Sequence, residues 1–184
     1  EVQSAISITE NYYELAQSGE LPEAEAQKKA MEVIRSIRYG DDNSGYLWID
    51  GTDYTLLMHP ILPDQEGNNR YELTDQNDVK IIQEIMKVAK EGGYNEFYFT
   101  KSDGVTVAPK VAYSKEFEPW NWVITTGVYE DDIQSVVDNS EGVVRIGQIF
   151  DQAISLMAGI AALFAVIIAI VAYILIKRII QVIE

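Results

Sequence analysis

The 184-residue sequence has no cysteine and one histidine, His59. Disulfides and thiolate metal sites are therefore excluded, and imidazole metal clusters go with them, so no metal is expected. Basic residues are scarce: 14 Lys and Arg stand against 29 Asp and Glu, for a formal net charge of -15. Nucleic-acid surfaces and docking patches for anionic lipid both need clustered positive charge, so no nucleic-acid partner is expected. The same acidity repels anions, so an anionic ligand needs a local basic pocket. Catalytic signatures are missing as well. No G-x-S-x-G turn stands ready to activate a serine beside the lone histidine, and 29 acids make carboxylate pairs too common to mark a glycosidase. The reading is a protein without enzymatic activity or cofactor. The chain opens at Glu1 with neither Met nor signal peptide, in a helical pattern, and a first transmembrane helix is expected ahead of it.

What is present begins with two helical patterns. Val2 to about Gln17 is weakly amphipathic, and Gly19 and Pro22 interrupt it. A second helix starts at Pro22 with Glu23 and Glu25 at its positive end, and Ala26, Ala30, Val33, Ile34 and Ile37 recur on one face. Tyr46 to Asp50 and Tyr54 to His59 read as a hairpin, ended by Pro60, which forces His59 into an extended conformation. Asp78 to Gly92 keeps helical spacing through Val79, Ile82, Ile85, Met86 and Ala89. Three strands follow: Glu96 to Thr100, Val105 to Tyr113, and a last one in Pro119 to Tyr129 that is apolar on both faces and so central. The order predicts an α+β fold, a five-stranded antiparallel sheet with a long N-terminal helix and helices to one side.

The remainder points to a membrane. Residues 134–153 read as an acidic connecting helix, and 154–176 carry no charge. About 23 residues at ~1.5 Å each reach roughly 35 Å, enough for a transmembrane helix. Lys177 and Arg178 follow directly, so the positive-inside rule puts 177–184 in the cytoplasm and the domain of 1–133 outside.

Candidate binding residues follow from setting. Lys110 succeeds Pro109 within an apolar strand pattern, where an ammonium either snorkels to water or meets an anion. His59 at a strand end either donates to a backbone carbonyl or reaches a ligand, with a charge change near neutral pH. Tyr46, Trp48, Tyr98, Tyr113 and Trp122 can wall a small-ligand pocket, though aromatics at strand spacing are core residues by default.

Four blocks in order resemble the single Cache domain of bacterial chemoreceptors and related transmembrane sensors. They are Arg38-Tyr39-Gly40 with Gly45-Tyr46 and Trp48; His59-Pro60; Pro109-Lys110 with Tyr113; and Pro119-Trp120 with Trp122, Thr126-Gly127 and Tyr129. The resemblance implies a PAS-like sheet whose pocket takes a small organic acid of the acetate, propionate, pyruvate or lactate class. In it Lys110 would hold the carboxylate and Tyr46, Trp48, His59 and Tyr113 would line the pocket, while Arg38 contacts the ligand or braces the turn. Lys110 and Tyr113 have opposite strand parity, so both face one ligand only across a bulge. The resemblance further implies a homodimer in the inner (plasma) membrane. Residues 177–184 look like the start of a HAMP linker, leading to cytoplasmic signalling partners through further modules. A methyl-accepting chemotaxis protein is the expected whole; a sensor kinase, a diguanylate cyclase or a membrane-anchored enzyme is the alternative.

Overall fold

The computed structural model describes residues 1–40, 43–101, 103–133, 150–152 and 154–158. Glu1–Gln134 form one compact unit. Its elements are α1 (Val2–Gln17), α2 (Glu23–Ser36), β1 (Leu47–Gly51), β2 (Leu56–Met58), α3 (Ile81–Ala89), β3 (Gly93–Thr100), β4 (Val107–Phe117) and β5 (Trp122–Tyr129). Two of the three helices thus lie where apolar periodicity placed them, and α3 is shorter than its pattern. Asp78 sits in the left-handed region (φ 61°), and the Asp75 carboxylate accepts from the Asn77 and Val79 N–H groups, so a tight turn replaces the first helical residues.

All strand pairs are antiparallel, in the order β2-β1-β5-β4-β3. β5 is the middle strand, as its two apolar faces required. It starts at Trp122, because Pro119 lies in a short 3-10 turn closed by left-handed Asn121.

Helices cover both faces of the sheet, which corrects the expectation of one covered face. On one face α1 and α2 bury Ala5, Ile6, Ala30 and Ile34 against Leu47, Ile49, Trp122 and Ile124. On the other, α3 packs Ile82, Ile85 and Ala89 against Trp48, Phe97, Ala112 and Val123. Successive residues of β1 and β5 fall in opposite clusters, as the two-residue period demands. A strand apolar on both sides needs a cover on each.

The connecting segment 134–153 and the apolar run 154–176 lie almost wholly outside the described residues. Residues 150–152 and 154–158 are helical. No helix among the described residues is long and apolar enough to cross a membrane.

Candidate functional site

Between α3 and the sheet lies a cavity of about 240 Å³, partly open to solvent. That volume includes space open to solvent, and the cavity has room for about one water molecule. β1 contributes Trp48, with Tyr46 just before it; β4 contributes Lys110, and β3 adds Phe97 and Phe99. His59, Arg70, Ile81 and Ile82 close it from the β2–α3 side.

Lys110 is 1% exposed, so its ammonium does not snorkel. Nζ donates to Tyr46 Oη at 2.9 Å and lies 4.5, 4.9, 4.8 and 5.8 Å from the ring centroids of Tyr46, Trp48, Tyr129 and Phe99. Aromatic faces attract a cation, but they satisfy none of its donors. Among the described residues no carboxylate lies within ion-pair distance of it. Burial pushes the lysine pKa down to about 7, against the upward pull of Asp132. Burial likewise pushes the Tyr46 phenol up, and the Tyr129 phenol up to about 12, so both hydroxyls stay protonated.

His59 is held by its surroundings. Glu66 accepts from the His59 N–H at 2.7 Å while forking with Arg35 of α2 at 2.6 and 2.9 Å. His59 Nδ1 accepts from the N–H groups of Ile61 and Leu62, each at 3.1 Å. Nδ1 therefore carries no hydrogen, and the neutral ring has its proton on Nε2. Burial first, then the charges of Arg70, Lys110 and Arg35, push its pKa down to about 3. The imidazole is a neutral Nε2–H donor, neither the donor to a backbone carbonyl nor the neutral-pH switch foreseen from sequence.

At the pocket's edge Asp50, fully buried, meets Arg70, 6% exposed. Arg70 Nε donates to Asp50 Oδ1 at 3.0 Å and Nη2 donates to both oxygens, at 2.6 Å to Oδ2. Trp48 Nε1 donates to Oδ2 at 3.1 Å. Burial, the largest effect, raises the Asp50 carboxyl above its ordinary range; the Arg70 charge and these hydrogen bonds, all of which favour the ionised form, oppose it.

Of the residues singled out in the sequence, Tyr46, Trp48, His59 and Lys110 come together. Four do not. β4 pairs residue by residue with β3 and with β5, so no bulge turns Tyr113 around; it packs on the α1 side and against Tyr94. Trp122 faces the α1–α2 cluster, against Trp120. Tyr98 has the parity opposite to Phe97 and Phe99, which hold the pocket positions on β3. Arg38 is exposed and donates to the carbonyls of Arg35 and Ile37, bracing the end of α2. Asp50, Arg70, Phe97 and Phe99 were missed. The two-residue period from Tyr46 and Trp48 reaches Asp50, but nothing local ties Arg70 to it from 20 residues away.

A sheet ordered 2-1-5-4-3, with helices on both faces and a partly open cavity beside Lys110 under α3, defines a PAS-like α+β domain. Residues 1–141 match the model of the Single Cache domain 2 family, and the chain belongs to that family. Methyl-accepting chemotaxis protein McpP of Pseudomonas putida is 29% identical over 136 residues, 73% of this chain and 25% of that protein. Sensor histidine kinase MctS of Rhizobium johnstonii is 32% identical over 139 residues, 74% of this chain and 29% of that protein. The chain thus spans less than a third of each of these relatives. A Cache chemosensory domain solved for its carboxylic acid recognition is 27% identical, with a TM-score of 0.66 over 70% of this chain and 88% of that one. A periplasmic sensor domain of a chemotaxis protein has the same identity and TM-score over 70% and 90%. The chain is a Cache sensor domain of the kind found in chemoreceptors and sensor histidine kinases.

Proposed function

We propose that this domain binds a small organic monocarboxylate, of the acetate, propionate, pyruvate or lactate class, outside the cytoplasm. The observation that carries the reading is Lys110: a buried ammonium with spare donors and, among the described residues, no acid within ion-pair distance is an unmet charge that a carboxylate satisfies. Tyr46 Oη and the Nε2–H of His59 are the further donors, and the aromatic rings enclose the carbon end. The small cavity favours two- to four-carbon acids, which enter with outward movement of the ring side chains. The carboxylic acid recognition of the similar Cache domain supports the same class.

In this reading the signal leaves through β5. Tyr129 puts its ring 4.8 Å from Lys110 Nζ, and its hydroxyl donates to Thr100 O at 2.8 Å. Just beyond, Lys101 bridges Asp131 and Asp132, each at 2.8 Å, at the start of the exit segment. Residues 154–176 form the transmembrane helix, 177–184 begin the cytoplasmic linker, and two chains pair through their N-terminal helices. The output is that of a methyl-accepting chemotaxis protein; the 32% identity to a sensor histidine kinase supports the second reading, a kinase. Calorimetric titration of the chain with acetate, propionate, pyruvate and lactate tests the ligand. Saturable binding of at least one acid, lost in Lys110→Met, is expected. No binding by any of them overturns the reading.

A further inference from the structure

We infer that Asp50 sets the charge specificity of the pocket: by cancelling the charge of Arg70, it leaves one cation free and so admits acids bearing a single carboxylate while excluding dicarboxylates. The inference rests on the carboxylate reading and adds the residue that limits it.

Arg70, a permanent cation, and Lys110, a cation when protonated, line the cavity, and His59 is neutral. Left alone, such a pair would suit a dianion. Arg70 is committed elsewhere. Its guanidinium makes three hydrogen bonds to Asp50, whose Oδ2 also accepts from Trp48 Nε1. A guanidinium and an indole N–H only donate, so both oxygens of Asp50 face donors and neither has room for a proton. Asp50 is therefore a carboxylate, and the Asp50–Arg70 pair is neutral as a unit. Among the described residues Lys110 has no such partner, and it carries the charge that an incoming anion can neutralise. A second carboxylate would be desolvated against an already paired arginine, without a counter-charge of its own. Trp48 belongs to both arrangements, its ring under Lys110 and its N–H on Asp50, so the neutralised arginine is held beside the ligand space.

Oxamate and oxalate test this, since they have the same size and shape and differ by one charge. In calorimetric titration at neutral pH, the wild-type chain is expected to bind oxamate about 30-fold or more tightly than oxalate, the penalty of an uncompensated buried charge. Asp50→Asn keeps the shape and removes the negative charge, and should narrow that ratio to within about 3-fold, mainly by tighter oxalate binding. An Asp50→Leu/Arg70→Met double variant removes the pair and keeps Lys110, so it should retain the wild-type ratio even where the single variant fails to fold. Equal affinity of the wild type for both probes overturns the inference, as does an unchanged ratio in folded Asp50→Asn or a collapsed ratio in the double variant. Failure of acetate and oxamate alike to bind the wild type instead overturns the carboxylate reading beneath it.

Discussion

Burying Lys110 has a sign that pH can read. Its folded pKa, about 7, lies below the ordinary 10.5. Between those values the unfolded chain holds more protons than the folded one, so stability rises with pH across that window, by at most about 1.4 kcal/mol per pH unit. Urea denaturation at several pH values should show this rise, and Lys110→Met should lack it while being the more stable protein below pH 7. Carboxylate affinity runs the other way, because the anion needs the ammonium, and should weaken as pH climbs past about 7. His59 behaves differently: its pKa is pushed down to about 3, so folding excludes its proton and stability is lost as pH falls from the ordinary 6.5 towards 3. An NMR titration should find no His59 midpoint between about pH 5 and 8.

Among the elements, β5 carries the most constraint. Gly127 stands opposite Ala112, and a Cβ there would meet Lys110 Cε and Val111 O at 2.9 Å. The glycine leaves the space through which the lysine stem reaches Tyr46. Gly127→Val should therefore weaken acetate binding at least about tenfold, read by calorimetry, through a displaced Lys110 rather than a lost one. At the strand's other end Trp120 donates to Glu23 of α2 at 3.0 Å and packs edge-on against Tyr13 and Phe117. Trp120→Ala should cost about 3–5 kcal/mol in chemical denaturation and leave the pocket residues in place. These consequences follow from strand parity. Trp122 and Tyr113 look like pocket aromatics by type, yet their parity turns them to the α1–α2 side, where type counts only as bulk.

Over the whole domain, α1 is part of the core rather than an appendage. Val2, Ala5, Ile6 and Thr9 are buried against the sheet, with Thr9 Oγ1 donating back to Ala5 O. Removing residues 1–17 would uncover the Trp122–Ile124 face, and circular dichroism and gel filtration should show an unfolded or aggregated product. The sequence by itself determined the elements and their class. Helical and two-residue periodicity, the Gly and Pro stops and the doubly apolar last strand sufficed for a five-stranded α+β domain, and the four blocks contain Lys110, His59, Tyr46 and Trp48, which line one cavity. Only the tertiary structure decided which cations remain free. Arg70 comes from a loop with no periodic signal, and its neutralisation by Asp50 depends on a pairing 20 residues apart that local pattern does not encode. Whether Tyr113, Trp122 and Tyr98 face the cavity depended on an unbroken register, a property of three strands at once. Charge cancellation and facing are relations between distant segments, which only burial in a common core brings within a few ångströms.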